Sequence, residues 1–553
     1  MRRIFNSNFA FIILIVLLCV PVVLPYFKSG YFPTHDGEWA VVRLADMFRS
    51  LRDLQFPVRF SGVLNFGYGY PLFNFAYPFP YYFGILFYSL FNSFILSVKA
   101  MFVLSVFLSG IFMYLASFKL WKNRTAGFVS AVFYIYLPYR MVDLYVRGSI
   151  GESLALFLFP LIFYFALRLF DNPFGRVNVF FLSLIIGILV MTHNIMTVLF
   201  IPILITFIFA RVIQERKSIV LQPFLLSLFL GFGLSAFFWF PALFGRGNIL
   251  LSIVPIADRN LYFANLSQLL IPSWGYAPPT ESGGFSYQLG ISQSVIVLIV
   301  FFYLLFRFLK TNFLQTPALK YAFTLLLVWV VCLLMLFPFS QVFWKNLPFL
   351  QEINYPWTLL SQLGLISSLL GGFLVLQGRF GKYSLITLSL FAVFFVLPYA
   401  KPFIYNNYDD NYYLTNEATT TSSNELMPLW VKEHPTQRFE NKIEVLEGFA
   451  EISDILYSSN KISFSYKANK DSTLRINTIY YPGWKVYLDG RNINEAHENT
   501  KGTMEINVPK SGNKVVLLFQ ETISRQLSNL VSLVSLLTLT LILIKPMLLL
   551  KSK

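Results

Sequence analysis

Long apolar runs, separated by short groups of basic residues, constrain this chain more than any other feature of its sequence. The chain is 56% hydrophobic and only 13% charged, whereas soluble domains carry about 25% charged residues. A soluble core cannot absorb so many apolar side chains, and an apolar run of roughly 20 residues is the length that crosses a bilayer. The sequence therefore predicts a polytopic α-helical membrane protein.

We predict about twelve transmembrane helices. They lie near residues 8–27, 98–118, 125–139, 152–170, 178–192, 195–213, 219–243, 291–309, 320–338, 357–377, 383–400 and 525–544. The first run follows Arg2-Arg3 and has no convincing cleavage site, so we expect a retained helix rather than a signal peptide. The predicted spans at 125–139 and 178–192 are shorter than usual.

Basic residues set the expected topology. The net charge is +16, but Lys and Arg fall between the apolar runs, as they do in cytoplasmic loops under the positive-inside bias. The segments expected in the cytoplasm are Arg2-Arg3, 119–124, 168–176, 211–217, 307–320, 379–382 and 545–553. This distribution argues against a nucleic-acid partner and places both termini in the cytoplasm of a cell-membrane protein.

The first outer loop, residues 28–97, is expected to be structured. Segment 77–94 is apolar, but every later loop would change sides if it crossed, so we predict an interfacial or re-entrant helix there. Apolar residues at helical spacing from Val41 to Leu51, with charges on the other faces, predict an amphipathic helix lying on the membrane.

Polar residues dominate from residue 401 to 524. Period-two alternation at 474–477 and 484–488 predicts strands, and Asp489-Gly490 predicts a hairpin turn. We therefore expect an extracytoplasmic β-sandwich domain. The expected division is a transmembrane domain over 1–400, this β-domain over 401–524, and a last helix with a basic tail over 525–553.

An acidic segment, Thr34-His35-Asp36-Gly37-Glu38, follows the first apolar run. Carboxylates near hydrocarbon are costly, and where they persist they usually pair, bind or do chemistry. Asp36 could be a general base or only the N-cap of the helix that follows, and the residues alone favour neither. His35 could orient Asp36 or bond to the backbone, and Glu38 fits a first-turn charge that favours the helix dipole.

Several motifs resemble known membrane families. His35-Asp36, the segment 67–73, Pro138-Tyr139-Arg140 and the segment 147–152 resemble the 6-pyruvoyl-tetrahydropterin synthase-related membrane family. The segment 481–490 resembles the end of YfhO-like bacterial membrane proteins. Both groups resemble the GT-C superfamily of glycosyltransferases.

This resemblance implies a GT-C-like fold and sugar transfer from a polyprenyl-phosphate-linked donor to a cell-envelope glycan, lipid or protein on the extracytoplasmic face. It also implies an inverting single displacement with Asp36 as catalytic base. The leaving phosphate would need cations, for which Arg140 and Arg147 are candidates. Glu152 could hold a divalent cation such as Mg²⁺ or Mn²⁺ with Asp36, or simply pair with Arg147.

The other candidates for substrate binding are His35, Glu38, His193 and Asn194. His193-Asn194 lies at a tight turn between two predicted spans, where turn chemistry alone also explains an asparagine. Arg140 and Arg147 could instead anchor the loop to the phosphates of membrane lipids. The chain departs from the resemblance at Tyr355-Pro356-Trp357-Thr358, where relatives tend to carry Phe-Pro-Trp-Arg, so a role of that arginine is lost or moved.

Two other classes of function stay open. A transporter or flippase of lipid-linked sugars is less favoured, because transporters show broken helices and midplane charges, and ionisable residues here avoid the span centres. A non-catalytic scaffold could present residues 401–524 to envelope partners. No Gly-rich nucleotide cradle follows a predicted strand, which favours a lipid-phosphate donor over a nucleotide sugar.

Overall fold

The computed structural model describes residues 8–310 and 315–544, and these form twenty α-helices and eight β-strands. The helices are α1 (Asn8–Val23), α2 (Gly37–Arg52), α3 (Leu72–Phe75), α4 (Phe79–Phe91), α5 (Phe94–Trp121), α6 (Arg124–Ile135), α7 (Pro138–Val142), α8 (Ile150–Arg168), α9 (Arg176–Thr192), α10 (Asn194–Glu215), α11 (Leu221–Leu234), α12 (Ala236–Gly245), α13 (Leu266–Leu270), α14 (Ile291–Leu309), α15 (Pro317–Leu334), α16 (Gln341–Asn346), α17 (Leu360–Leu374), α18 (Arg379–Val396), α19 (Asp410–Leu414) and α20 (Ile523–Ile544). The expected cytoplasmic segments Arg2-Arg3 and 545–553 lie outside the described residues.

Eight helices of the described chain are long and apolar enough to cross a membrane. They are α1, α5, α8, α10, α14, α15, α17 and α20, of which α1 and α17 are extended by 3₁₀ turns. The pair α11 and α12 passes the same test together but bends by 66°, while α6, α9 and much of α18 are shorter apolar helices. All twelve predicted positions are helical, yet length and composition support eight or nine spans rather than twelve.

Helix α6 is short because a proline follows it. Its start is capped by Asn123, whose side chain accepts from the Ala126 N–H at 3.1 Å. Pro138 forces the preceding Leu137 into extended backbone, with φ −81° and ψ 133°, since the proline ring disfavours helical geometry in the residue before it. The predicted span at 125–139 is therefore a short helix followed by a break and the one-turn helix α7.

The bend between α11 and α12 falls at Ser235, whose hydroxyl donates to the Gly231 carbonyl at 3.1 Å. Farther along, Pro241 lies inside α12 and offers no N–H to the carbonyl four residues earlier. That carbonyl, of Phe237, accepts from Arg59 Nη1 at 2.6 Å instead. A side chain from the segment 28–97 thus satisfies the backbone of the bent pair, and the predicted span over 219–243 consists of two helices rather than one.

The predicted amphipathic helix is α2, but it packs inside the protein. Val41 and Leu44 are fully buried, and the helix contacts α4, α5 and α19. Asp46, on the same helix, is buried as well, and burial raises its pKa to about 7. The expectation that α2 lies on the membrane surface is corrected, because neighbouring helices rather than lipid cover its apolar face.

The predicted interfacial helix is also present, as α4. Pro80 lies in its first turn, and the chain leaves it at Asn92 in left-handed backbone, both typical of helix ends. One side packs on α5, α2 and α9, while Leu86 and Leu90 on another side are exposed. These exposed leucines fit a helix with one face toward lipid.

The C-terminal region folds into two antiparallel sheets. The strands are β1 (Ile443–Glu447), β2 (Ala450–Tyr457), β3 (Lys461–Ala468), β4 (Ser472–Ile479), β5 (Trp484–Leu488), β6 (Arg491–Ile493), β7 (Thr503–Val508) and β8 (Lys514–Phe519). Their orders are β1-β4-β7 and β2-β3-β8-β5-β6. Asp489 and Gly490 both have positive φ between paired Leu488 and Arg491, which confirms the predicted hairpin turn.

The β region packs on the segment 28–97. Lys442 Nζ donates to the carbonyls of Gly67, at 2.9 Å, and Asn477, at 2.8 Å. The Asp53 carboxylate accepts from the Ser459 N–H at 2.7 Å. These contacts hold the loop that carries the acidic segment against the sheets.

Candidate active site

Two short backbone segments meet just before α2 and α8. The N–H of His35 donates to the Val146 carbonyl at 3.0 Å, and the N–H of Asp36 donates to the Arg147 carbonyl at 2.7 Å. This pairing brings together the acidic segment and the segment at Val146 and Arg147, which are more than 100 residues apart in the chain. It also places the Asp36 side chain beside that of Arg147.

Small residues make this close approach possible. Thr34 Oγ1 accepts from the Gly37 N–H at 2.9 Å, and a Cβ atom on either Gly37 or Gly148 would overlap that oxygen. Gly148 also has φ +63°, a backbone conformation that favours glycine. Asp36 stands at the N-cap position without a side-chain capping bond. The interpretation of its carboxylate as only a helix cap is therefore wrong, because Thr34 supplies the bond.

Arg147 lies between two carboxylates. Its Nη1 is 2.7 Å from Glu152 Oε1 and its Nη2 is 3.3 Å from Asp36 Oδ2. The Glu152 side chain is 1% exposed, that of Arg147 12% and that of Asp36 39%. Burial opposes the charge of Arg147, but Glu152 and Asp36 outweigh it and raise the pKa of the guanidinium. The cluster thus runs from a buried acid through a cation to an accessible acid.

Glu152 is held from two sides. It lies in the first turn of α8, and its Oε2 accepts from the Tyr139 hydroxyl at 2.5 Å. His193 Nε2 is 3.9 Å from Oε1 of the same carboxylate. Since Arg147 and Tyr139 already occupy both oxygens, Glu152 is a fixed counter-ion for Arg147.

His193 is a neutral member of this cluster. The Met196 N–H donates to its Nδ1 at 3.3 Å, so the neutral ring carries its proton on Nε2, which faces Glu152. The Tyr77 ring stacks on the imidazole with 5.1 Å between centroids. Burial, reinforced by the positive charge of Arg147, lowers the pKa of His193 to about 3.

The Trp357 ring packs against the Arg147 guanidinium. The guanidinium carbon lies 4.4 Å from the centroid of the Trp357 ring, within reach of a cation–π interaction. The next residue, Thr358, is buried and donates its hydroxyl to the Tyr355 carbonyl at 2.8 Å. The Thr358 side chain is therefore turned to its own backbone, and Arg147 lies on the neighbouring tryptophan.

Two residues of the acidic segment point away from the cluster. His35 Nε2 is 2.9 Å from the Tyr276 carbonyl, which is the backbone bond weighed as an alternative to orienting Asp36. Glu38 accepts from the Tyr413 hydroxyl at 3.3 Å, and burial raises the pKa of its carboxyl. The predicted substrate-binding roles of these two side chains are therefore not supported by direct contact with Asp36.

Arg140 and Asn194 are also outside the cluster. The Arg140 guanidinium is fully buried over the Tyr134 ring, 5.5 Å from its centroid, and none of its nitrogens hydrogen-bonds within the described residues. Asn194 accepts from the Ile195 N–H at 3.0 Å at the start of α10, which is the turn chemistry expected of it. The role of Arg140 in binding a leaving phosphate stays a prediction.

Asp143 is an acid that sequence reasoning missed. It is buried in a π-helical turn, Asp143–Arg147, and accepts from the Ser153 hydroxyl. Burial and the nearby Glu152 raise the pKa of its carboxyl well above the usual range. No sequence signal marked it, whereas Tyr139 lies inside a motif noted for its resemblance and Trp357 lies in the segment noted as a departure from it.

The metal site considered for Asp36 and Glu152 stays a prediction. Arg147 bridges the two carboxylates, which is the ion pair expected as the alternative. Over residues 8–310 and 315–544, no group of three His, Cys, Asp or Glu side chains is arranged to hold a metal ion. The positive charge of this site comes from a guanidinium.

The cluster can accept a proton and stabilise an anion. Asp36 Oδ1 accepts no hydrogen bond from the described residues, and the carboxylate faces outward beside a cation. Such an oxygen can take a proton from a hydroxyl group brought to it. Arg147, fixed from behind by Glu152 and Trp357, can stabilise negative charge that develops next to Asp36.

Comparisons with known proteins give partial similarities. No family model matches the chain. An uncharacterized protein of Lactococcus lactis subsp. cremoris is 26% identical over 322 residues, which cover 55% of this chain and 51% of that protein. The chain thus spans about half the length of this curated relative.

Three solved structures resemble parts of the fold. The apo oligosaccharyltransferase of Archaeoglobus fulgidus has a TM-score of 0.44 at 13% identity, covering 76% of this chain and 61% of that one. AglB from the same organism, in complex with an inhibitory peptide and a dolichol-phosphate, has a TM-score of 0.45 at 13% identity, with coverages of 74% and 56%. The mycobacterial arabinofuranosyltransferase AftD has a TM-score of 0.46 at 15% identity, with coverages of 70% and 26%. Each is longer than the region this chain matches.

Proposed function

We propose that this protein is a membrane glycosyltransferase that moves a sugar from a polyprenyl-phosphate-linked donor to a hydroxyl group of a cell-envelope acceptor. The observation that carries the proposal is the Asp36–Arg147–Glu152 cluster. It offers an accessible carboxylate and an adjacent fixed cation. A reaction that transfers a sugar from a phosphate leaving group requires both of these groups.

The proposed reaction is a single displacement. Asp36 Oδ1 accepts the proton of the acceptor hydroxyl while that oxygen attacks the anomeric carbon. The bond from that carbon to the phosphate oxygen breaks, and the lipid phosphate leaves with the electron pair. One attack on one face inverts the anomeric configuration, so a single carboxylate base is sufficient and no sugar is bound covalently to the enzyme.

Arg147 links proton uptake by Asp36 to the departure of the lipid phosphate. Before reaction it balances both Asp36 and Glu152, so its charge is shared between them. When Asp36 takes up the proton, its attraction for Nη2 falls, and the guanidinium can turn that donor toward the leaving phosphate. Glu152 and Trp357 hold the other side of Arg147, which keeps the cation in place as its partner changes.

The position of the cluster fits a lipid-linked donor. Glu152 lies in the first turn of α8, a helix long enough to span the membrane, and a cluster at the end of a span suits a donor whose phosphate lies at the membrane surface. The positive-inside bias of the sequence supports an extracytoplasmic position for this end.

The test is a transfer assay with the purified protein in lipid, using a panel of polyprenyl-phosphate sugars and envelope extract. We expect Asp36→Asn to lower the transfer rate by about 10²–10⁴-fold, the usual contribution of a general base. Asp454→Asn makes the same chemical change at an exposed β-strand residue and should transfer normally. Full activity of folded Asp36→Asn would remove Asp36 as the base.

Transport of a lipid-linked sugar is the second candidate, favoured by the bent pair α11 and α12, since discontinuous helices are common in transporters. In vesicles, this function predicts movement of labelled polyprenyl-phosphate sugar without consumption of acceptor. Unchanged movement in Asp36→Asn, together with no transfer by the wild type, would favour transport over the glycosyltransferase.

A further inference from the structure

A groove of about 980 Å³ opens at the ends of α1, α4 and α5, beside residues 407–410. Its volume is near the upper limit of the roughly 300–1,000 Å³ typical of ligand pockets. Aromatic and aliphatic side chains form most of its wall, among them Phe27, Phe91 and Phe107. Asp36, Arg147 and Glu152 do not line it, so it is separate from the candidate active site.

Exposed apolar side chains lie at the edge of the groove. Phe27 is 70% exposed and Leu96 48% exposed at its edge, although both are apolar. Both α1 and α5 are long enough to span the membrane, and Phe27 and Leu96 lie near their ends on the groove side. An apolar cleft in this position is accessible to the hydrocarbon chains of a bilayer.

Two lysines provide the positive charge of the groove. Lys99 is only 5% exposed, and its Nζ donates to the Lys28 carbonyl at 2.6 Å. Lys28 Nζ lies 4.6 Å from the centroid of the Tyr405 ring. No carboxylate of the described residues comes within 4.0 Å of either ammonium group. A buried ammonium that bonds only to a neutral carbonyl is costly unless an anion pairs with it.

The two acids that line the groove are already engaged. The Asp410 carboxylate accepts from the N–H groups of Phe94, at 2.7 Å, and Ile95, at 3.0 Å. Asp409 accepts from the Tyr412 N–H at 3.1 Å. Both acids therefore stabilise helix starts, where a negative charge is favoured, and the lysines remain the charges free to meet a ligand.

We propose that this groove binds an anionic phospholipid of the membrane. Its phosphate would accept hydrogen bonds from Lys28 and Lys99, and its acyl chains would lie along the aromatic wall. The two unpaired ammonium groups select a negative headgroup, and the apolar cleft selects hydrocarbon chains. This inference does not depend on the proposed glycosyl transfer, because the groove and the Asp36 cluster share no residue.

The test measures lipid retention by native mass spectrometry of the full chain after delipidation and titration with phosphatidylglycerol or phosphatidylcholine. We expect phosphatidylglycerol to bind and phosphatidylcholine to bind at least about tenfold more weakly, since charge-assisted hydrogen bonds are the stronger kind. Equal binding of the two lipids would overturn the proposal. So would displacement of phosphatidylglycerol by an equimolar polyprenyl phosphate, which would make the groove a donor site.

Matched variants separate charge from folding. Lys28→Gln and Lys99→Met should each weaken phosphatidylglycerol binding by about tenfold through loss of a charged donor. Lys122→Gln, at the other end of α5, should bind normally. Ala100→Trp keeps both lysines but fills the groove, and it should also prevent binding. Retained binding in folded Lys28→Gln and Ala100→Trp would overturn the proposal even if Lys99→Met failed to fold.

Discussion

Asp36 and Arg147 are joined twice, by a backbone hydrogen bond of 2.7 Å and by a side-chain ion pair of 3.3 Å. The main chain fixes the place of the carboxylate, and the side chains fix its direction. A substitution at Asp36 therefore removes the charge without releasing the segment that carries it. This makes Asp36→Asn a test of chemistry rather than of folding.

The buried half of the cluster should matter most for stability. Glu152→Gln leaves Arg147 with only the half-exposed Asp36 as counter-ion, and breaking a buried ion pair costs about 3–5 kcal/mol. Asp36→Asn breaks a more exposed pair and should cost under about 1 kcal/mol. The free energy of unfolding of both variants in mixed micelles checks this, and equal losses would contradict the buried role of Glu152.

The close approach of the Gly148 backbone to Thr34 should be essential for activity. Gly148→Ala places a methyl group against Thr34 Oγ1 and must push the Arg147 segment away from Asp36. A displacement of about 1 Å in a catalytic group can cost about 10²-fold in rate, and we expect a loss of that size in the transfer assay.

Gly490→Ala is the control for Gly148→Ala. Gly490 has φ +82°, but a Cβ there has no neighbour within 4 Å, so the variant carries similar backbone strain without a clash. We expect near-normal transfer. Equal losses in the two variants would mean that strain alone, and not the contact with Thr34, impairs the enzyme.

His193 should make the protein acid-sensitive. Its folded-state pKa is about 3, below its ordinary value of 6.5, so the unfolded chain binds a proton that the folded one does not. The stabilisation is fully present above pH 6.5 and is lost as the pH falls toward 3, by about 1.4 kcal/mol per unit. His193→Gln should flatten this part of the stability profile between pH 6.5 and 4. A profile parallel to that of the wild type would show that other groups cause the acid sensitivity.

The sequence predicted those parts of the fold that depend on local pattern. Apolar runs located every span-like helix, and period-two alternation located β4 and β5, because burial and turn chemistry act over a few neighbouring residues. The pattern could not reveal the bend at Ser235 or the shortness of α6, which depend on single residues within otherwise uniform apolar runs. Nor did it show that protein rather than lipid covers α2, since both are apolar surroundings.

The candidate site was predictable only in part. Asp36, Arg147, Glu152 and His193 stood out as charged or titratable groups at span ends, and the structure brings them together. Arg140 lies only seven residues from Arg147 and looked equivalent, but its guanidinium lies over Tyr134, whereas that of Arg147 lies over Trp357. Asp143 went unnoticed because its importance comes from burial, which composition does not reveal.

Trp357 should position Arg147 rather than touch the substrate. Its ring lies 4.4 Å from the guanidinium, and loss of a cation–π contact worth about 1 kcal/mol should lower kcat about fivefold. Trp357→Phe keeps an aromatic face and should retain most of the rate, while Trp357→Ala should show the full loss with KM for the donor little changed.

Trp344→Ala provides the control. That buried ring also lies near an arginine, with 5.9 Å to the Arg259 guanidinium carbon, but it is outside the cluster. If Trp357→Ala changes KM alone, the ring contacts the donor; if Trp344→Ala lowers kcat equally, the effect comes from lost stability and not from Arg147.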